Sequence, residues 1–247
     1  MISTSFLPVP DIAFFGRSLA EYQVFFGIQA SALIGRRVLD VAAGPSSFAA
    51  EASCCGVEVT AVDPLYRCTE HALGLRVHDG LHRMFATMRT RPEMFRLRSF
   101  ASLDAAEADR RHAAARFLAD YYTGVAVGRY VAGALPGLPF ADATFDLVLC
   151  GHLLFVYEDR LDLDFHIAAC RELVRVARPD GEVRIHPIVN LRGETSAHLA
   201  PLREALDVSG IASSIVDVDY EFFRGTTKTL VLRPTDPDTR GSGKTAR

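Results

Sequence analysis

The sequence has no tryptophan, only two lysines and no strong excess of either charge. Its 27 basic residues are nearly balanced by 30 acidic ones, so the formal net charge is −3 at pH 7. A chain without a basic excess lacks the electrostatic signature of a nucleic-acid-binding protein, and we expect no nucleic-acid partner. No run of about 18 apolar residues is free of charges, so we also expect no membrane-spanning segment.

The five cysteines form no CxxC pair and no spacing typical of metal ligands, so we predict no metal site. Their number is odd, and the N-terminal stretch MISTSFLPVPDIAFF lacks the basic start of a secretory leader. We therefore expect reduced thiols in a cytoplasmic protein. The glycine fingerprint G-x-G-x-x-G is missing as well, which argues against a nicotinamide-dependent dehydrogenase.

Short apolar segments alternate with helical patterns over most of the chain. Segments 36–43 and 57–64 are typical of buried strands, and the helix between them covers 46–55. This strand–helix–strand unit predicts a parallel sheet. The last two strands are close enough in sequence to form a hairpin, so they should be antiparallel. Further strands are predicted at 129–135, 144–155, 182–189, 214–223 and 227–234.

The helical patterns suggest how the chain is organised around these strands. Residues 1–35 should form an N-terminal helical segment, with a helix over 11–34 that packs over the core and folds back over a site. Residues 65–126 have no strand pattern and should form two or three helices as an inserted cap. The arginines and histidines of this cap form either a solvated face or a positive surface for an anionic substrate. The domain itself spans 36–234, and the polar tail 235–247 should be disordered.

The segment VLDVAAGPSSF, residues 38–48, passes from a strand through small residues into a helix. In an open α/β sheet, ligands bind beyond the carboxyl ends of the strands. Ala42 and Gly44 leave room for a ligand beside the backbone, and Ser46 can cap the helix or donate to a ligand carboxylate. An ordinary tight turn accounts for the same residues.

Asp63 ends the second strand, 19 positions after Gly44. An acid at this distance is suited to accept hydrogen bonds from both hydroxyls of a ribose. A role in capping the next turn is the alternative.

Four segments in combination resemble class I S-adenosylmethionine-dependent methyltransferases. They are VLDVAAGPSSF, VTAVDP, LPFADATFDLVLC and ELVRVARPDGEVRI, in that family's order and spacing over most of 36–190. The resemblance implies a Rossmann-like α/β fold with a seven-stranded, mostly parallel sheet, an antiparallel last strand, helices on both faces and a helical insertion after the second strand. It also implies methyl transfer with S-adenosyl-L-methionine as the cofactor.

The resemblance assigns roles around the first loop. Asp40 would organise the loop and hold the methionine amino group, directly or through water. Ala42 and Gly44 would pass beside the methionine part of the donor. The family's loop is commonly D-x-G-x-G-x-G, and Ala42 and Ser46 replace two of its glycines here. An alanine can serve at this place if its φ stays negative.

The same resemblance assigns the adenosine and sulfonium contacts. Asp63 would bind the ribose, with Pro64 and Leu65 against the adenine. Ala134, which replaces an acid that often contacts the adenine amino group, and Leu135 would flank the other face of the ring. At the end of the fourth strand, Cys150 and His152 would face the sulfonium and the acceptor.

Methyl transfer is an in-line displacement in which the enzyme aligns donor and acceptor and can remove a proton from the acceptor. His152 is the best candidate base, because it ends a strand beside the predicted sulfonium. His186 and Tyr157 are further candidates for catalytic contact, although each histidine also fits a structural role. Arg17 and Tyr22 form a cluster on the N-terminal helix, where Arg17 can pair with the donor carboxylate.

The expected partner is a small-molecule acceptor, and the sequence sets no oligomeric state. The aromatic segments 120–122 and 219–225 are candidates to line its pocket. Two alternatives remain open at this point: the same fold binding another ligand or methyl carrier such as a folate, and a non-catalytic methyltransferase-like partner protein.

Overall fold

The computed structural model describes residues 12–234, so the predicted disorder of 235–247 lies outside the described residues. These residues form one seven-stranded sheet in the order β3-β2-β1-β4-β5-β7-β6. All neighbouring strands are parallel except that β7 runs antiparallel to both β5 and β6. The predicted α/β fold is confirmed. The strands are β1 Arg37–Val41, β2 Glu58–Asp63, β3 Tyr130–Ala132, β4 Phe145–Gly151, β5 Ala177–His186, β6 Ile211–Asp217 and β7 Lys228–Pro234.

Six α-helices of the described chain cover the two faces of this sheet. The core on one face involves α1 to α4, and the core on the other involves α5 and α6. None of the helices between residues 12 and 234 combines the length and the apolar character needed to cross a bilayer. Their bounds are α1 Leu19–Phe26, α2 Phe48–Cys54, α3 Glu70–Arg89, α4 Leu103–Ala126, α5 Leu163–Val176 and α6 Leu199–Val208.

The inserted cap consists of α3 and α4, as predicted from the absence of a strand pattern there. The break between them has a clear local cause: Pro92 begins a 3₁₀ turn after α3, and Ser102 caps α4 by accepting a hydrogen bond from the Ala105 N–H. An apolar stripe of α3 packs into the core, while its arginines and histidines lie on the other side.

The N-terminal helix is shorter than the sequence predicts. It begins at Leu19 and ends before Gly27, which adopts a left-handed φ of +63°. Residues 12–18 form a non-helical segment, here called the strap, that crosses the carboxyl edge of the sheet. The backbone carbonyl of Arg17 bonds outward, to the Ser46 hydroxyl and the Ser47 N–H, and these bonds replace a helical pairing.

The sheet order brings three strand ends together. Because β1 lies between β2 and β4, the residues that follow all three strands meet at one edge. Gly151 of β4 lies opposite His186 of β5, so the chain after β4 also meets the end of β5. This edge is where ligands bind in open α/β sheets.

Candidate functional site

Two adjoining cavities lie at the carboxyl edge of the sheet. The outer cavity has a volume of about 460 Å³ and the inner cavity about 120 Å³. Ala42, Asp63 and Leu153 belong to the walls of both, as does the start of the strap. The outer cavity extends toward β3, and the inner cavity extends between α3 and the segments that follow β5 and β6.

The loop after β1 holds two residues with positive φ, Ala42 at +56° and Gly44 at +57°. The condition under which an alanine can serve at this place, a negative φ, is not met. An alanine in the left-handed region is strained by roughly 1–2 kcal/mol, and such strain persists only where surrounding contacts impose it. Here the Gly44 N–H donates to Asp63 Oδ2 at 3.1 Å, and the Gly44 carbonyl accepts from the Tyr66 hydroxyl at 2.6 Å.

Asp63 occupies the boundary between the two cavities. Its Oδ1 accepts from the Leu65 N–H at 2.8 Å, so the carboxylate is held by two backbone donors, counting Gly44. Burial raises the pKa of Asp63 to about 6, while these two donors work in the opposite direction. Each oxygen keeps a second lone pair, so the carboxylate can still accept hydrogen bonds from a pair of vicinal hydroxyls.

Asp40 lies behind the loop and lines neither cavity. It is fully buried, and the Tyr22 hydroxyl lies 3.2 and 3.0 Å from its two oxygens and donates to this carboxyl. Burial raises the pKa of Asp40 to about 8, and the charge of Asp63 adds to the shift. The Asp40 side chain therefore lies behind the wall of the inner cavity, which Tyr22 lines at this place. Its contact with a ligand amino group, directly or through water, stays a prediction.

Arg17, on the strap, lines the inner cavity without an ionic partner. Its Nη1 donates to the Phe15 carbonyl at 3.3 Å, and its buried Nε has no partner. Within residues 12–234 no carboxylate lies within salt-bridge distance of this guanidinium. A partly buried charge without a counterion is costly, and a ligand carboxylate relieves that cost. Arg17 is therefore suited to hold an anionic group.

The loop after β1, residues 41–47, is the predicted donor-binding loop and is here called the donor loop. Ser46 is buried, donates to the Arg17 carbonyl at 2.8 Å and accepts from the Phe48 N–H at 3.1 Å. It therefore fixes the strap and the start of α2, and its bond to a ligand stays a prediction. The outer cavity is lined from both sides by residues that the sequence placed there: Pro64, Leu65, Ala134 and Leu135.

His152 follows β4 and lines the inner cavity with a positive φ of +56°. Its Nδ1 is buried and has no hydrogen-bond partner. Burial lowers the pKa of His152 well below its ordinary value, and the positive charges of Arg17 and Arg110 and the neighbouring His186 lower it further. The imidazole is therefore neutral near pH 7, and a neutral imidazole can accept a proton.

Two residues of the predicted site, Cys150 and His186, lie outside the walls of both cavities. Successive residues of a strand point to opposite faces, so Cys150 points away from the cavity side and packs, fully buried, among the residues of the opposite core. His186 is 1% exposed and bonds through Nδ1 to Thr229 Oγ1 at 3.0 Å, behind the cavity wall. Neither side chain lines a cavity.

Tyr157 lines the inner cavity, as the prediction of substrate contact requires. Its hydroxyl oxygen accepts from the Ala13 N–H at 2.9 Å, so it also anchors the strap and keeps its own proton free to donate. From the predicted aromatic segment 219–225, Tyr220 and Phe222 reach the cavity. The segment 120–122 does not line either cavity.

Several wall residues have no signal in the sequence. Met84 and Met88 of α3 line the inner cavity only because α3 packs back over the sheet edge. The sequence also did not predict the buried ion pair between Arg110 of α4 and Glu21 of α1. The Tyr220 hydroxyl donates a hydrogen bond to the same Glu21 carboxylate at 2.8 Å. These contacts join segments far apart in the sequence, so no local pattern indicates them.

The charged face of the cap is mostly solvated. Only Arg76 among its arginines and histidines contributes to the outer cavity, whereas Arg83 and Arg89 are exposed on α3. Between residues 12 and 234, no group of three or more histidine, cysteine or acidic side chains is arranged to hold a metal ion.

The chain matches a family model described as a methyltransferase domain over residues 92–185, from the 3₁₀ turn after α3 to β5. It is 31% identical over 229 residues to the uncharacterized protein MJ0045 of Methanocaldococcus jannaschii, a match that covers 92% of this chain and 99% of that protein.

Solved structures with a related arrangement were also found. A TehB-like SAM-dependent methyltransferase from Corynebacterium glutamicum is 16% identical, with a TM-score of 0.44 and coverage of 83% of this chain and 84% of that one. A SAM-dependent methyltransferase from Aquifex aeolicus is 14% identical, with a TM-score of 0.43 and coverage of 85% and 92%.

The family match and the strand order of the sheet indicate the same architecture. The matched residues 92–185 include β3, β4 and all but the last residue of β5, and the four matching sequence segments extend the likeness to the loop after β1. A mostly parallel seven-stranded sheet with an antiparallel β7 is the architecture that this resemblance implies. The chain therefore carries a methyltransferase domain, matched over residues 92–185, on a sheet with the architecture of the class I S-adenosylmethionine-dependent methyltransferases that its sequence resembles.

Proposed function

We propose that this methyltransferase acts on a small molecule bound in the inner cavity, with His152 as the proton acceptor. The observation that carries the proposal is the pair of adjoining cavities. The outer cavity has a wall of Asp63, Pro64 and Leu65 that is suited to adenosine. The inner cavity is lined by the Arg17 guanidinium, which has no ionic partner among the described residues, and by the neutral His152 imidazole.

The size of the inner cavity favours a small acceptor. Its volume of about 120 Å³ is comparable to that of an engineered cavity of about 150 Å³ that binds benzene. Most of its wall is apolar or aromatic, including Phe15, Met88 and Phe222. An acceptor with one ring or a short apolar body fits this space and chemistry.

The residues on the cavity walls have distinct roles in the proposed reaction. Asp63 binds the ribose hydroxyls, and Arg17 pairs with the donor carboxylate. When bound, S-adenosyl-L-methionine supplies a methyl group on a positively charged sulfur, ready for in-line displacement. His152 takes the proton of the acceptor atom as the new bond to the methyl carbon forms and the carbon–sulfur bond breaks, with its electron pair left on sulfur. The strap limits access of water.

Donor binding is tested by calorimetric titration with S-adenosyl-L-methionine and S-adenosylhomocysteine. We expect binding of both and a loss of about 10- to 100-fold in Asp63→Ala and in Arg17→Met, since each removes charged hydrogen bonds. Decarboxylated S-adenosylmethionine should bind wild type and Arg17→Met equally. Arg36→Met is the matched control, because Arg36 is exposed at the opposite edge of the sheet. No binding of either ligand to the wild type would refute the proposal.

The acceptor class is tested separately with donor carrying a labelled methyl group. The protein is incubated with a cell extract divided by dialysis into small molecules and macromolecules. Label in a dialysable product supports the proposal, and label in protein or RNA alone contradicts the small-molecule assignment. His152→Gln should lower turnover without weakening donor binding.

A further inference from the structure

The inner cavity presents positive charge to a bound molecule and withholds negative charge. Its wall is mostly apolar or aromatic, and of the described side chains on it only Arg17 and Asp63 carry a formal charge. Asp63 lies at the boundary with the outer cavity, where the Gly44 and Leu65 N–H groups already donate to its carboxylate. Arg17 is therefore the charge that a molecule bound deeper in the inner cavity encounters.

Two further carboxyl groups lie behind this wall, and a tyrosine hydroxyl covers each of them. The Tyr22 hydroxyl lies 3.2 and 3.0 Å from the two oxygens of Asp40 and donates to that carboxyl. The Tyr220 hydroxyl donates to Glu21 Oε1 at 2.8 Å. Both tyrosines line the inner cavity, whereas Asp40 and Glu21 do not. A bound molecule therefore meets the two tyrosines in place of the two carboxyl groups.

Neither of these carboxyl groups adds net negative charge to the cavity. Burial raises the pKa of Asp40 to about 8, so this carboxyl is mostly uncharged near pH 7. Glu21 forms a two-pronged ion pair with the fully buried guanidinium of Arg110, whose Nη1 donates to Oε2 and whose Nη2 donates to Oε1 at 2.7 Å. The charges of this pair cancel, so the charge of Arg17 is not balanced from behind the wall.

The charge of Arg17 acts on side chains at several places on the wall. Burial lowers the pKa of His152 well below its ordinary value, and Arg17 is the strongest of the nearby charges that lower it further. Burial raises the pKa of the Tyr157 hydroxyl, and the Ala13 N–H and the charge of Arg17 work in the opposite direction. Both effects of Arg17 have the direction that a positive potential produces. The inner cavity therefore combines an apolar wall with a positive potential.

This combination favours one sign of charge on a bound molecule. An ion loses its hydration in an apolar cavity, and the loss is costly unless a group of opposite charge compensates for it. Arg17 compensates an anion, whereas an ammonium group meets a like charge and, among the described residues of the wall, no uncommitted carboxylate. The donor does not reverse this preference, because S-adenosyl-L-methionine carries one carboxylate and two positive groups, its ammonium and its sulfonium.

We propose that the inner cavity selects an acceptor whose reacting atom develops negative charge, an acidic hydroxyl or thiol on an apolar body, and rejects amines. This selection rests on the proposed function, which places the acceptor in this cavity. As the proton of the hydroxyl or thiol passes to His152, the oxygen or sulfur forms a bond to the methyl carbon. The carbon–sulfur bond of the donor breaks, and its electron pair stays on the donor sulfur. The positive potential of Arg17 stabilises the acceptor atom while its negative charge develops.

The charge of bound 4-nitrophenol tests this selection on the full-length protein without donor. Its phenolate absorbs visible light and its phenol does not, and its ordinary pKa lies close to neutral pH. We expect the protein to bind the phenolate about tenfold more tightly than the phenol, which lowers the pKa of the bound probe by about one. An apolar cavity without an effective positive charge would raise that pKa, because burial disfavours the charged form. The direction of the shift therefore decides.

Variants of Arg17 separate its charge from its shape. Arg17→Met should remove the preference for the phenolate, and Arg17→Lys should keep it, because lysine retains the positive charge. Arg36→Met is the matched control and should behave as wild type, because Arg36 is exposed at the opposite edge of the sheet. An unchanged preference for the phenolate in a folded Arg17→Met would overturn the proposal. If Arg17→Met does not fold, the wild-type shift and its retention in Arg17→Lys still decide.

Benzoate and benzylamine, which are similar in size and opposite in charge, provide a second comparison. Benzoate should displace 4-nitrophenol at concentrations about tenfold lower than benzylamine requires, because benzylamine places a like charge beside Arg17. Equal displacement by the two compounds would contradict the proposal. A raised pKa of bound 4-nitrophenol would contradict it too, as would a protein that binds neither 4-nitrophenol nor benzoate.

The outcomes also separate this selection from the proposed function. Phenolate binding to a protein that does not bind S-adenosyl-L-methionine would refute the proposed function and leave the anion-selective cavity standing. Donor binding with the labelled methyl group on a dialysable amine would leave the small-molecule function standing. The same result would overturn the selection of an acidic hydroxyl or thiol.

Discussion

Replacing Gly16 by alanine should undock the strap. A Cβ built on Gly16 lies 2.0 Å from the Pro45 carbonyl oxygen and 2.6 Å from the Ser46 backbone nitrogen. Real Cβ contacts stay beyond 3.0 Å, so the strap or the donor loop must move by about 1 Å. Both partners are backbone atoms, so no side-chain rotation relieves the clash.

The expected size of the effect follows from the hydrogen bonds that the movement breaks. The Arg17 carbonyl accepts from Ser46 Oγ at 2.8 Å and from the Ser47 N–H at 3.1 Å. At about 1 kcal/mol net for each bond, Gly16→Ala should lose about 2 kcal/mol. For a domain of this size, that loss corresponds to a fall in Tm of roughly 4–8 °C. Donor affinity should also fall about tenfold or more, because Arg17 leaves the inner cavity with the strap.

Thermal denaturation and calorimetric titration with S-adenosyl-L-methionine measure both effects. Gly137→Ala is the matched control, because a Cβ there meets nothing within 4 Å and the backbone has no positive φ. The control should keep the wild-type Tm and affinity. If Gly16→Ala also keeps the wild-type Tm and donor affinity, the strap is not packed on the donor loop as described. The strap would then not be what holds Arg17 in the inner cavity.

Two further predictions concern the loop after β1. Ala42→Gly should raise the free energy of unfolding by about 1 kcal/mol in denaturant titrations, because glycine adopts the φ of +56° without strain. Ala43→Gly is the control: Ala43 has no positive φ, so this change should lower the free energy of unfolding. Asp40 has a pKa of about 8 in the folded state, against an ordinary value of 3.8. Between these two pH values the folded state holds a proton on Asp40 that the unfolded state has lost. The free energy of unfolding should therefore fall as pH rises from about 4 to about 8. Asp40→Asn still accepts from Tyr22 and should lack this fall, and equal pH dependence of variant and wild type would contradict the buried carboxyl.

The alternation of strands and helices could be predicted because it depends on local patterns. Buried parallel strands such as β1 and β4 are short apolar runs, and the hairpin of β6 and β7 follows from their proximity in sequence. Asp63 and its neighbours were found for a similar reason: a strand end in a parallel sheet is a fixed place, whatever surrounds it.

The N-terminal region shows where local patterns fail. Apolar residues at helical spacing predict a helix across 11–34, but Gly16 packs against the Pro45 carbonyl and the strap bonds to the donor loop instead. A tertiary partner outweighs helix propensity when it satisfies the backbone groups equally well. The positive φ of Ala42 has no local signal either, because the loop that contains it is held at Gly44 by Asp63 and Tyr66, which lie 19 and 22 residues further along the chain.

The sequence alone therefore determined the fold class, the family resemblance and the edge of the sheet at which the candidate site lies, because each depends on periodicity, spacing and order along the chain. Only the tertiary structure decided what each candidate side chain does. His152 and His186 have the same chemistry, yet one lines a cavity and the other lies behind it. That difference arises from packing between β4, β5, β7 and α1, and contacts across about 200 residues leave no trace in a local pattern.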